Sequence, residues 1–276
     1  MNASGNRQAI ASHTLLILFS VVVLFPFLWI VAASLKTQID LLLGKFFFVP
    51  NLQGYVDVLF SGTSDFVRNF SNSLIIGLSS TVLVLTIATL AAYSLYRMRW
   101  PAWVIHTLLG WSVVFHMVPP ITLAGAWFTM FRSVGLDNTL SGIILAHTTL
   151  NLPMALWMMG VFVRDVPREM VEAAEIDGAT TPEILRFVII PIVRPGLAAT
   201  GILSFIFSWN EFAVALSLTQ RQTATVPLGI GKYAQENTIA FTEMAAASTL
   251  SIIPAVVLLL VAQRFIVRGL TSGAVK

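Results

Sequence analysis

The sequence predicts an all-α integral membrane protein with six transmembrane helices. Of its 276 residues 57% are hydrophobic and only 11% charged, whereas an average soluble domain carries roughly 25% charged residues. The mean hydropathy is +0.84. The apolar residues fall into six long runs almost free of charge, and the basic residues stand at the ends of those runs, where lipid head groups lie. A run of about 20 apolar residues crosses roughly 30 Å of hydrocarbon, and as a helix it satisfies every backbone polar group internally.

The first span is placed at 14–35, uncharged from Thr14 to Leu35. A cleavable secretory signal is its rival reading, with Arg7 as a weak n-region and Ala32-Ala33-Ser34 as a cleavage site. The run exceeds the roughly 7–15 apolar residues of a signal core, and Pro26 and Trp29 interrupt it, which favours an uncleaved helix. The second span, 72–96, lies between Arg68 and Arg97. The third, 102–130, lies between Arg99 and Arg132, with Pro119-Pro120 expected to kink or end it locally. Trp100, Trp103 and Trp111 include interfacial anchors.

The fourth span, 139–163, is bounded by Asp137 and Arg164. The fifth, 196–219, follows Pro195 and carries one charge, Glu211. The sixth, 244–263, lies between Glu243 and Arg264. The whole chain, 1–276, reads as one transmembrane domain. Lys36 to Ser71 and Gln220 to Thr242 read as outer loops with short helices, and no alternation is long enough for a barrel.

Lys and Arg placement sets the orientation. With the N-terminus inside, Arg7, Arg97, Arg99, Arg164, Arg168, Arg186, Arg194, Arg264, Arg268 and Lys276 are cytoplasmic. Lys36, Lys45, Arg68, Arg132, Arg221 and Lys232 are outside. The bias places both termini in the cytoplasm of a multi-pass protein of a cell membrane.

Several function classes lose support. The chain has no cysteine, so thiol chemistry is excluded. The net charge of +3 comes without a basic run, so it reflects membrane topology and not nucleic-acid binding. His106, His116 and His147 share no metal-ligand spacing and read as satisfied interior or interfacial histidines. Met154, Met158 and Met159 near Trp157 read as packing. Gly231-Lys232 is followed by Tyr233 and preceded by Val226 where a phosphate loop requires glycine, so the chain has no nucleotide loop.

The segment 164–195 differs in composition. Ten of the chain's 16 basic and 13 acidic residues lie in it: Arg164, Asp165, Arg168, Glu169, Glu172, Glu175, Asp177, Glu183, Arg186 and Arg194. It reads as two short helices and a turn. Asp165 is expected to cap the first, with Pro167 in its first turn. Met170, Ala173 and Ala174 would form a small apolar face opposite Glu169 and Glu172. Gly178 is expected to stop that helix in a left-handed conformation. Thr180 or Thr181, then Pro182 and Glu183, would restart it with a capping arrangement. The second helix is expected to run to Pro191. On helix logic alone, an amphipathic loop of no special function accounts for this segment.

The residues carry more than that. Glu172-Ala173-Ala174, Asp177-Gly178-Ala179, Pro191 and Pro195-Gly196 resemble the EAA loop of binding-protein-dependent ATP-binding-cassette (ABC) importer permeases. That motif closes in I-x-L-P, and here the end reads Val188-Ile189-Ile190-Pro191, a departure that keeps aliphatic residues. Trp209-Asn210-Glu211-Phe212 narrows the resemblance to the carbohydrate type. So does the tail with Gln263-Arg264, Gly269-Leu270 and Gly273-Ala274-Val275-Lys276. The likeness is closest to the maltose-type permease subunit with a short N-terminus, and it covers nearly the whole chain.

The resemblance implies a type I ABC importer permease architecture with a cytoplasmic coupling helix at about Pro167 to Ile176. It implies a second permease subunit, two ATPase subunits that bind ATP and Mg, and an extracytoplasmic solute-binding protein. The chain itself would hold no cofactor or metal. Arg168, Glu169, Glu172, Ala173, Ala174, Asp177, Gly178 and Pro191 are the residues expected to couple to the ATPase. Trp209, Asn210, Glu211 and Phe212 are candidates for the solute path, because indoles pack on sugar C–H faces and amides pair with hydroxyls. Glu211 is the acid well inside a span, where a charge costs roughly 2.5–3.5 kcal/mol, so it faces either a cavity or a partner group.

Two alternatives stand beside the sugar importer. One is a permease for an amino acid, phosphate or peptide. The other is an intramembrane enzyme, which needs paired catalytic groups at membrane depth. The sequence offers Glu211 and isolated histidines with no evident partner.

Overall fold

A computed structural model describes residues 3–98, 100–234 and 239–272. Arg99 and the tail Gly273-Ala274-Val275-Lys276, both used above, lie outside them. Among the described residues every regular element is a helix. The chain divides into two compact units. One holds the residues up to Val67 together with Ile230–Ile253, and the other holds Arg68–Gly229 and the chain from Pro254 onward.

In the first unit, α1 (Ala3–Ser34) is a single helix that tolerates Pro26, and its apolar side chains from Ile10 to Leu28 are exposed. The outer loop after it contains α2 (Gln38–Leu42) and α3 (Gln53–Phe60). Thr37 accepts from the Asp40 amide at 3.2 Å, which caps α2. Lys36 lies 5.0 Å from the ring centres of Trp29 and of Phe48, and its ammonium donates to the Lys45 carbonyl at 2.6 Å. The start of α14 (Phe241–Ser272) closes this unit, and Thr242 lies so close to Gly54 that a β-carbon there would stand 2.7 Å from its methyl group.

The second unit is built on α4 (Phe66–Arg97) and α7 (Leu140–Arg164). Two helices of the third span, α5 (Ala102–His116) and α6 (Pro120–Ser133), meet at 99°. The sequence reading expected Pro119-Pro120 to kink or end the span over 102–130, and the helix ends there. The break is sharp because Pro119 and Pro120 follow each other, and neither offers an N–H to continue the ladder.

Beyond α7 come α8 (Arg168–Ile176), α9 (Thr181–Glu183), a π-helical stretch Ile184–Ile189, and α10 (Ile190–Ile192). The fifth span then begins with α11 (Arg194–Trp209), which turns 80° from the preceding helix. It does not continue to residue 219 as one helix: α12 (Ala213–Leu218) follows a break at 210–212. The Ile206 carbonyl there accepts from both the backbone N–H and the side-chain amide of Asn210, at 3.0 and 2.9 Å, and the Glu211 carboxylate takes the free N–H groups of Val214 and Ala215 where α12 begins. The last short helix is α13 (Val226–Lys232).

Among the described residues four helices are long and apolar enough to cross a membrane: α1, α4, α7 and α14. The bent pairs α5–α6 and Thr181–Ile192 with α11 bring the spans to six when each pair counts as one. The second unit's larger core gathers Val84, Ala88, Ala92, Ala155, Met159, Val163, Val171, Ile184 and Ile189. The charged loop therefore shares a core with α4 and α7.

Candidate functional site

The charged loop is a structured elbow. At its start, Asp165 stands at the C-terminal cap of α7, its amide donating to the Val161 carbonyl at 3.1 Å. It does not cap α8, as the sequence reading expected. Pro167 fills the N-cap position of α8 with no side-chain hydrogen bond. Arg97, at the end of α4, donates to the Val163 carbonyl at 2.7 Å and to that of Val166. The Val163 carbonyl otherwise accepts the long bond from the Val166 N–H at 3.4 Å, so the guanidinium completes the end of α7.

The inward face of α8 also differs from expectation. Val171 is buried and Ala174 half-buried against the core, while Met170 and Ala173 point outward. The reason is register: residues three apart share a face, and the Val171–Ala174 pair is the one that joins the cluster of α4 and the π-helical stretch, one step round from Met170–Ala173. The exposed residues of α8 include Glu169, Met170, Glu172, Ala173 and Ile176, with Ile176 86% exposed. Arg168 and Glu172 line a polar recess of about 460 Å3 with Tyr93, Tyr96, Arg97 and Glu175.

Gly178 ends α8 with φ +81°, the left-handed conformation expected of it. Its amide donates to the Glu175 carbonyl at 3.0 Å, and the next amide, of Ala179, reaches back to Ala174 at 2.9 Å, with Asp177 at the C-cap. This paired closure satisfies two terminal carbonyls. Two residues on, the Thr180 amide and hydroxyl both donate to the Glu183 carboxylate, at 2.8 and 2.6 Å. Those two hydrogen bonds hold the Glu183 carboxyl below its ordinary pKa. Pro191 lies half-buried inside α10, and Gly196 lets α11 start against the Phe162 ring, where a β-carbon would stand 2.3 Å away.

The other candidates surround the break at 210–212. Trp209 is buried, stacked on Phe205 at 5.6 Å and edge-on to Phe70 at 5.5 Å. Asn210 and Phe212 are exposed. Glu211 accepts from the Val214 and Ala215 amides at 2.8 and 3.0 Å, so its charge sits on the N-terminus of α12, where the helix dipole favours it. Its Oε2 also lies 3.4 Å from His147 Nε2.

The sequence reading left Glu211 facing either a cavity or a partner group without naming one, and the structure puts His147 beside it. His147 is fully buried on α7, and its Nδ1 lies 2.7 Å from Ser208 Oγ, which is itself 3.1 Å from Ser80 Oγ. A depth count carries the missed signal. His147 and Glu211 both stand 17 residues from an arginine bounding the charged loop, Arg164 or Arg194. The row Ser208–His147–Glu211 has the residue types of a hydrolytic triad, but Ser208 is only 4% exposed and cannot meet a substrate. Among the described residues no group of three or more His, Cys, Asp or Glu side chains is arranged to hold a metal ion.

Residues 84–272 match the family model described as binding-protein-dependent transport system inner membrane component. The chain is 37% identical over 260 residues to the trehalose transport system permease protein SugB of Mycobacterium tuberculosis, covering 92% of each. It is 33% identical to the trehalose/maltose transport system permease protein MalG of Thermococcus litoralis, covering 98% of this chain and 99% of that one. The fold superposes with a TM-score of 0.78 on a chain of a bacterial ABC transporter involved in the import of the acidic polysaccharide alginate. That match is 22% identical and covers 96% of this chain and 98% of the other.

Proposed function

Because the chain belongs to the binding-protein-dependent transport system inner membrane component family, we propose that it is the transmembrane subunit of an ATP-driven importer that moves a sugar or short oligosaccharide across a bacterial-type cell membrane. It works with a second permease subunit, two ATPase subunits and an extracytoplasmic binding protein. ATP and Mg are held by the ATPases. The names of its relatives, for trehalose, for trehalose and maltose, and for diacetylchitobiose, favour a sugar over an amino acid, phosphate or peptide.

The observation that carries the coupling role is the two-sided character of α8. Val171 and Ala174 anchor it to the core, while Glu169, Ala173 and Ile176 stand on the opposite face, with Met170 and Glu172 exposed at its two edges. An isoleucine 86% exposed on a charged loop calls for a covering surface, and the acids beside it suit basic groups of an ATPase cleft. Stiffness supports the same reading. The elbow is closed at Gly178 and capped at Thr180, so a push on α8 reaches α10 and α11 without a slack connection. Both chain termini and the elbow share the cytoplasmic side in this reading. The break at Asn210 and Phe212 borders the solute path.

Co-purification tests the assembly. Glu172→Lys combined with Ile176→Asp should release the ATPase subunits and abolish uptake of labelled trehalose by cells. Retention of both would overturn the proposal. Uptake of labelled amino acids in place of sugars would favour the non-sugar permease.

A further inference from the structure

The seam between α7 and α11 runs antiparallel, with Phe162 against Gly196, Met159 against Thr200 (Sδ to Oγ1, 3.6 Å) and His147 against Ser208. At one end the two helices are joined covalently through the elbow. At the other, 17 residues or about 25 Å of helix away, they meet at the buried cluster of His147, Ser208 and Glu211. We infer that this cluster is a tie that locks α7, the elbow and α11 into one rigid lever, with His147 as the positioning residue that carries the lever's movement to the break at 210–212.

The chemistry fits a tie. With the Ser80 hydroxyl donating to Ser208, the Ser208 hydroxyl is free to donate to Nδ1, and Nε2 then faces the Glu211 carboxylate across 3.4 Å, a polar contact without full hydrogen-bond geometry. The carboxylate spends its other lone pairs on the Val214 and Ala215 amides. One imidazole therefore fixes both the end of α11 and the start of α12. A fully buried imidazole and a carboxylate only 10% exposed are costly to separate, because each would be left unpaired away from water. The rest of the seam, with a glycine, a threonine and a thioether, packs closely but permits sliding. A lever joined only at the elbow would shear, and a lever joined at both ends turns as a unit.

This inference rests on the transport reading for its purpose but not for its test. The chain has no native cysteine, so nitroxide labels at Thr181→Cys on the elbow and Leu216→Cys on α12 report one distance. In the transporter purified with whatever subunits accompany it and placed in lipid nanodiscs, the parent should give one narrow distance, the same with and without ATP. His147→Ala should broaden that distribution at least about twofold, as expected of helices freed to slide. His147→Gln, which keeps an N–H within reach of Glu211, should restore the narrow distance. Ser208→Ala, which leaves the histidine in place, should broaden it to an intermediate width and covers the case in which His147→Ala fails to fold. Parent-like widths in His147→Ala, or in Ser208→Ala where that variant alone folds, would overturn the tie. The width without ATP is readable even if no ATPase subunit co-purifies, so failure of the transport reading and failure of the tie are separate results.

Discussion

Arg97 closes the end of a helix it does not belong to: from the last turn of α4 its guanidinium donates to the Val163 carbonyl of α7 at 2.7 Å, and to Val166 beyond it. The elbow leaves α7 at this point, so one side chain fixes the angle at which the loop departs. Arg97→Ala takes this donor from the Val166 carbonyl and leaves that of Val163 with only the 3.4 Å bond from the Val166 N–H, and an unpaired buried acceptor costs about 1–3 kcal/mol. A fall in thermal stability of the purified protein is expected, with Arg97→Lys recovering only part of it, since an ammonium lacks the planar fork. Melting curves in detergent check both.

Gly178 tests the turn. With φ +81° and nothing within 4 Å of a built β-carbon, Gly178→Ala meets only backbone strain, of about 1–2 kcal/mol. Gly178→Asn should cost less than alanine, because asparagine tolerates the left-handed region. Hydrogen exchange at the Ala179 amide, whose partner is the Ala174 carbonyl, should speed up in the order Gly, Asn, Ala.

Gly196 tests the seam by crowding instead. A β-carbon at Gly196 would stand 2.3–2.9 Å from the Phe162 ring, and overpacking of this kind typically costs 1–3 kcal/mol. Gly196→Ala should be destabilising, and Phe162→Leu in the same chain should relieve it. A double-mutant cycle of melting temperatures measures that coupling.

Glu183 gives a pH dependence with a defined sign. Its carboxyl is held below the ordinary 4.5 by the Thr180 hydroxyl and amide, so the unfolded chain binds its proton at higher pH than the folded one. The cap's contribution is therefore complete above that ordinary value, and it is lost as pH falls through the lower folded value. Protection of the elbow amides from hydrogen exchange should decline over this acid range, and Thr180→Ala should flatten the decline.

Much of this chain was legible in its residues. Long uncharged runs admit only helices in lipid, so the segments 14–35, 72–96, 139–163 and 244–263 coincide with parts of α1, α4, α7 and α14, with at most one residue of each outside its helix. Thr180-Pro182-Glu183 and Gly178 produce local structure through hydrogen bonds and dihedral preferences a few residues long, and both appear as expected. The inward face of α8 was not legible, because a nine-residue helix with alanines on several sides can turn either way until a core selects Val171 and Ala174.

Local sequence thus determined which segments are helices, where they cap and which loop carries the charge, since those choices depend on composition and on neighbours within one or two turns. Only the tertiary structure decided that His147 meets Ser208 and Glu211, that Arg97 closes α7, and that the fifth span breaks at residues 210–212. Each of these joins groups from helices far apart in sequence, or weighs a side-chain carboxylate against a backbone ladder. The winner is set by which polar groups the packed bundle leaves without water.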